Sequence, residues 1–521
     1  LTIPKVADSL TTTNPSGTIT PDAVDGTVTI TASNSIFSSG NVDQFINVTN
    51  GFGRARIVKF NSATEVEVIV EIPFFEANAA IPNGDFELET GYVDAWSNTR
   101  GWPRTCTFHE SRLYFGGSAS DPNTLFGSKV NDFFNFKAAE ALDDDAILVT
   151  LSTDSANAIN GIRSGRDLQI FTSGAEFFVP QADLDPITPS NITIKSATRR
   201  GSKVGLRPQS AEGGTLFIQR QGKALREMLF SDVELSYVAN NVSLLSSHMI
   251  VDPKRMALRA ATDTTEGDLL LIVNGTNTTG YRASSTGFGG TITAFMLNRP
   301  QQIVAPSSFT TDGDFFDVGV DLDDIYVITK RTVSSATKYY VELFDEDRTT
   351  DAAIQYYNSP ASPDQALPGS ATAGSLSHLE GKTVKVIRDD IVDTDQTVSS
   401  GQVTLGGTPT SYAEVGLDYT VTVKTQPFEP RLSSGAVQSQ RRRILEVSPV
   451  LFRTQNITIN GREVPLQSLP LSGAGGVTNF SGVKKTQGFL GYDRDAQITI
   501  SQSKPLFFTV LSLDYKVSVG Q

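Results

Sequence analysis

The sequence predicts an all-β protein: an irregular β-propeller with additional β-sandwich and small β domains formed by the N- and C-terminal parts. Three observations predict it. Alternating runs of Val, Ile, Thr and Phe recur along all 521 residues, and no helical period lasts three turns. Gly is plentiful at 43 residues and Met rare at four, a bias toward strands and turns over helices. Strand–turn–strand units return roughly every 50 residues, each with too little apolar surface to fold alone, so each must stack on a neighbour.

Residues 1–98 read as a small β domain. Gly26–Ala32 alternates, Phe45–Thr49 runs into the hairpin signal Asn50-Gly51, and Arg54–Phe60 and Glu65–Ile72 follow. Trp96 and Trp102, the two tryptophans, flank the next boundary and are expected as packing anchors. Residues 99–348 read as the propeller. Thr105–Tyr114 alternates, Gly116-Gly117-Ser118 breaks the strand, Thr124–Ser128 returns, and Asn131–Phe136 closes with aromatics. The theme recurs at Ile159–Val179, Gly213–Phe230, Thr265–Met296 and Asp321–Phe344; Ala138–Leu142 is the best short helix candidate. Asp345–Ala373, rich in Asp, Thr, Ser, Pro and Ala, reads as an exposed linker. Residues 349–430 then form a sandwich-like module from Lys382–Arg388, Gly401–Leu405 and Tyr419–Lys424. Residues 431–521 are a last β unit, a candidate to pack with the N-terminal domain.

Length alone suggests two to four domains. A net charge of −14 and a pI near 4.8 exclude a broad nucleic-acid-gripping surface unless the basic residues are concentrated. The single cysteine, Cys106, rules out an intrachain disulfide framework and reads as a buried thiol in an alternating strand. His109, His248 and His378 lie far apart without metal-ligand spacing, so no metal or cofactor is expected. No apolar run reaches the ~18 residues of a membrane span. The sequence opens on Leu1 rather than Met, which reads as a trimmed or omitted start.

Chemistry-bearing motifs are scarce. Asp143-Asp144-Asp145, Asp321-Leu322-Asp323-Asp324 and Glu342 with Asp345-Glu346-Asp347 match no calcium loop and read as solvated turns. Gly287–Thr291 is glycine-rich but lacks the Lys and helix of a phosphate loop, and no nucleophile elbow occurs, so no enzymatic activity is expected. Two basic clusters remain: Arg199, Arg200 and Lys203 in one turn, and Arg441, Arg442 and Arg443 at the head of the last unit. Closely spaced cations can meet phosphate oxygens of DNA or the carboxylates of a neighbouring subunit.

The stretch 101–136 also carries a family resemblance. Gly101, Trp102 and Pro103, then Arg112, Leu113, Tyr114, Phe115, Gly116, Gly117 and Ser118, then Ser128, Asp132, Phe133, Asn135 and Phe136 form an ordered set. This set resembles the signature of the tail nozzle (tail tubular B) proteins of short-tailed bacteriophages. Gly213–Phe230 with Tyr237–His248 is similar to that family's middle blades, and the strings from His378, Gly401 and Val415 to its downstream module. The resemblance implies an irregular propeller within a homohexameric ring at the virion's tail tip. It implies a channel through which packaged DNA is retained and then ejected, with an adaptor ring above and tail fibres at the side. The alternative from the residues alone is a propeller that binds or cleaves glycans of a bacterial surface.

Overall fold

In the computed structural model every regular element among the described residues is β, apart from three short 3-10 turns. The structure describes residues 2–7, 12–48, 53–136, 142–152, 157–180, 186–262, 266–275, 290–361, 363–429, 431–432, 435–436, 440–466, 478–489 and 491–519. The Asn50-Gly51 turn, most of the helix candidate at 138–142 and Gly287–Gly289 lie outside these residues. The chain divides into two compact units, Leu1–Ser247 and His248–Gln521.

The first unit opens with a seven-stranded sheet, ordered Thr12–Thr13, Phe86–Glu89, Phe45–Val48, Arg54–Ser62, Glu65–Ile72, Thr27–Ala32 and Ile19–Pro21. Its inward positions alternate as the sequence does. Val28, Ile30 and Ala32 from one strand meet Val66, Val68 and Val70 from the next around Phe74 and Phe86.

Three four-stranded meanders follow, each strand hydrogen-bonded to the next in sequence. Blade 1 is Thr105–His109, Arg112–Gly116, Thr124–Gly127 and Ile147–Thr150. Blade 2 is Ile159–Ser164, Leu168–Thr172, Glu176–Val179 and Lys195–Thr198. Blade 3 is Gln209–Ala211, Gly214–Ile218, Leu225–Ser231 and Ser236–Asn241. The central strands of blades 1 and 2 are buried on both faces because each blade stacks on the next. Tyr114, Leu125 and Ile147 pack against Ile159, Ile162 and Ile170, and Phe171 and Phe178 against Phe217, Met228 and Tyr237. Close stacking explains the paired glycines: a Cβ on Gly117, at φ +77°, would lie 2.2 Å from the Ile159 carbonyl oxygen.

The second unit holds two further blades. Blade 4 is Arg255–Arg259, Asp268–Val273, Ile292–Asn298 and Ile303–Phe309; blade 5 has three strands, Asp314–Asp321, Asp324–Val333 and Ala336–Leu343. Leu271, Val273 and Ile292 pack on Phe315, Ile325 and Val327 between them. The all-β, propeller-bladed class read from the sequence is therefore the class of the structure. A sandwich follows, with Asp351–Tyr357 between Tyr412–Leu417 and the short parallel strand Gln365–Ala366. The last unit is dominated by a long ribbon in which Arg442–Thr454 pairs antiparallel with Thr509–Val519.

Several expectations are corrected. Asp345–Ala373 is not a linker: Asp351–Tyr357 is a sheet strand with Ile354 and Tyr356 buried and Ala352 packed against the same core. Val421–Lys424 belongs to the C-terminal sheet, paired with Thr499–Gln502, rather than to the sandwich. Cys106 is exposed, because the two-residue period points Thr105 and His109 inward and Cys106 and Phe108 outward. Trp96 is a buried anchor, whereas Trp102 is half exposed and donates to Asn98 Oδ1 at 3.2 Å.

Candidate functional site

The signature residues of 101–136 form a packing device. Trp96 meets the rings of Phe115, Phe126 and Phe136 edge-on at 5.1 to 5.3 Å, pairs each worth about 0.5–1.5 kcal/mol beyond area burial. Phe133 packs partly buried against the same group, and Pro103 lies half-buried beside exposed Trp102. Arg112 is 1% exposed, and its guanidinium donates to three backbone carbonyls: Ser128 at 2.6 Å, Asp145 at 2.5 Å and Asp143 at 2.7 Å. Ser128, fully buried, accepts from the Leu113 amide at 2.9 Å and donates to the Lys129 carbonyl at 3.0 Å. Gly116 lets Ile159 and Ile162 approach. The run Asp143-Asp144-Asp145 is thus the turn that Arg112 clasps, and the Asp145 carboxylate is paired with Lys129 at 2.5 Å.

Strand alternation divides the C-terminal basic cluster. Arg441 is exposed; Arg443 is half-buried and donates to the Phe489 carbonyl at 3.2 Å. Arg442 is buried and its guanidinium donates to the Phe428 carbonyl, so it does not face DNA or a partner as a run of three exposed cations would.

Arg199 and Arg200 are the predicted residues that meet a cavity. They line a cleft of about 540 Å³ between the last strands of blades 2 and 3, with Ala197, Thr198, Glu234, Tyr237 and Asn240 among its walls. Both arginines are exposed, and among the described residues neither side chain has an ion pair. Lys203 is half-buried nearby in sequence and is not part of the lining. The inner wall is fixed by Tyr237, which donates to Asp167 Oδ2 at 2.8 Å and packs edge-on against Phe178 and Phe230; burial and the Asp167 bond push its hydroxyl up to about 12. Glu176, fully buried, anchors the rim. Its Oε2 accepts from Thr198 Oγ1 at 2.5 Å and from the Arg200 amide at 3.1 Å. Burial raises its carboxyl above the ordinary range, against the pull of those hydrogen bonds.

The sequence reading missed the breadth of this charge. Residues 195–226 hold eight Lys or Arg and one Glu, in a chain of net −14. The missed members are Lys195, Arg207, Arg220, Lys223 and Arg226, and counting charge per blade finds them. Two like-charged pairs sit close together. Arg226 is lowered by burial and then by Arg200, and Arg163 by burial and then by Arg207. Neutral acceptors hold Arg226 in place: Gln219 Oε1 at 2.8 Å and the Ala239 carbonyl at 3.0 Å.

Among the described residues no three His, Cys, Asp or Glu side chains gather as a metal site. His109 is buried against Ser164 Oγ at 2.9 Å, and His378 meets the Ala352 carbonyl at 2.9 Å. No helix among the described residues is long and apolar enough to cross a membrane.

No family profile and no curated relative matches the chain. Solved structures that resemble it include an auxiliary nutrient binding protein from Bacteroides ovatus (9% identity, 63% of this chain and 85% of that one, TM-score 0.26). The N-terminal domain of Nup159 has 10% identity over 80% of this chain and 98% of that one, with a TM-score of 0.25. The endosialidase of phage phi92 has 12% identity over 70% of this chain and 56% of that one, with a TM-score of 0.21. Superpositions this loose carry no assignment of activity.

Proposed function

We propose that this chain is a structural subunit of a short phage tail, one copy in a ring-shaped nozzle around the DNA exit channel. In that role it retains packaged DNA and passes it during ejection, beneath an adaptor ring and beside tail fibres, without catalysing a reaction. The observation that carries the reading is the ordered set over residues 101–136, which resembles the nozzle signature. Its members have interlocking structural jobs in one blade: Arg112 and Ser128 close the turns, Gly116 and Gly117 admit the next blade, and Phe136 packs on Trp96. A net charge of −14 suits a channel wall that repels DNA and lets it slide, with local basic residues available as contacts. The test is the native mass of the full chain, alone and with an adaptor protein. A closed ring of about six copies is expected from the resemblance; a chain that stays single under both conditions overturns the reading.

A further inference from the structure

The turn that joins the first two strands of blade 5 is built against local preference. Asp321 pairs with Asp324, leaving Leu322 and Asp323 as a two-residue loop, and Leu322 has φ +54°. Two-residue hairpin turns give such positions to Gly, Asn or Asp, and a leucine there is strained. Its side chain offsets none of this by burial, because it is 89% exposed. Asp321, Asp323 and Asp324 surround it, all exposed, and among the described residues none has an ion pair. Behind the tip, exposed Tyr326 and Leu343 face each other across the strands and continue the apolar surface. Backbone strain around an exposed apolar side chain is a sign of a contact made elsewhere.

The cleft between blades 2 and 3 has the matching chemistry. Arg199 and Arg200 line it without ion pairs, in a stretch with eight cations and one anion. Its wall includes the apolar groups of Ala197, Val238 and Ala239. The hairpin tip beside it presents Val233, 96% exposed, and Leu235, itself at φ +49°. Blade 5 and its flanks carry the opposite charge: residues 312–351 hold eleven Asp or Glu against four Lys or Arg.

We propose that the Asp321–Asp324 tip of one copy inserts into the blade 2–blade 3 cleft of a second copy, with Leu322 as the apolar anchor and the carboxylates on Arg199 and Arg200. The inference rests on the ring reading above and names the contact that builds it. Tip and cleft are different surfaces, so the contact is head-to-tail, the kind that closes into a ring when its rotation permits. An apolar side chain seated in a desolvating pocket supplies affinity, and the charges supply register and encounter rate.

Mass photometry and sedimentation of the full chain test it. Leu322→Gly relieves the strained turn, so the variant is expected to be at least as heat-stable as the parent while its association weakens at least tenfold. That combination separates a lost contact from a lost fold. Arg199→Glu with Arg200→Glu is expected to stay single, as is Asp321→Lys with Asp323→Lys and Asp324→Lys. Mixed one to one, these two chains should recover the larger assembly in alternation, since the acidic tip of one meets the basic cleft of the other and the reversed tip meets the reversed cleft. All five changes in one chain should restore the larger assembly. If the parent forms a ring and Leu322→Gly or either charge reversal forms it equally well, the contact is refuted and the nozzle reading stands. A parent that stays single even with an adaptor removes both.

Discussion

Blade 1 and the cleft between blades 2 and 3 each depend on arginine, and they use it in opposite ways. Arg112 is buried, and all three of its partners are backbone carbonyls, so its charge closes a turn and reaches nothing outside the blade. Arg200 is held at its backbone by buried Glu176 while its side chain stays exposed and without an ion pair, near the like charge of Arg226. Desolvation is costly for a cation unless acceptors replace water. Where the chain supplies those acceptors, arginine is a rivet; where it does not, the arginine side chain stays in water.

The sharpest way to break this comparison is at Arg112. Arg112→Ala leaves three carbonyls short of a charged donor and should destabilise blade 1 by about 4 kcal/mol. Urea unfolding followed by tryptophan fluorescence checks it, because Trp96 packs on Phe115, Phe126 and Phe136 of the same region. Arg112→Lys keeps the charge but not the fork and should recover less than half. Arg442 extends the test to the C-terminal unit. Arg442→Ala should cost about 2 kcal/mol through the abandoned Phe428 carbonyl and lost packing, while exposed Arg441→Ala stays within about 0.5 kcal/mol of the parent.

Glu176 probes the anchor beneath the cleft. Its folded carboxyl titrates above the unfolded range, so the folded state binds the proton more tightly. The stability this gives is complete below the unfolded value and is lost as pH rises through the folded one. Relative to the parent, Glu176→Gln should therefore improve as pH rises from 4 toward 7, measured as melting temperature against pH. A flat difference would mean that its hydrogen bonds just balance the cost of burying its charge, and a reversed slope that they outweigh it. The smallest expected effect is at the cleft itself: Arg199→Ala with Arg200→Ala should leave the melting temperature of the single chain unchanged within about 0.5 kcal/mol. A larger loss would make these residues rivets after all.

The blades were legible in the sequence because paired glycines and two-residue alternation act locally; Gly116-Gly117 marks a real chain approach to Ile159. The strand Asp351–Tyr357 was not, since its register partners Glu414 and Val415 lie about 60 residues on and it sits inside a segment rich in Asp, Ser and Pro. Nor was the fate of each arginine. Arg441 stands exposed just before the strand that buried Arg442 opens, so the two share a sequence motif and no surface. The cleft escaped because it is formed by two strands roughly 40 residues apart, Lys195–Thr198 and Ser236–Asn241, whose neighbourhood depends on blade stacking. Leu322 was passed over inside an acidic run, where only its backbone angle sets it apart.

The long C-terminal ribbon has a mechanical consequence. Its first register pair is Arg442 with Val519 and its last is Phe452 with Thr509, so a pull that separates Arg442 from Val519 peels the strands one pair at a time. Peeling is the weak direction of an antiparallel pair, because the load falls on a single rung. Arg442 stands at that rung. Its amide and carbonyl are both engaged by Asp493, at 2.7 and 2.8 Å, and its guanidinium by Phe428. The buried arginine is therefore a clasp at the point where a tear would start, and the ribbon beyond it is protected for as long as the clasp holds.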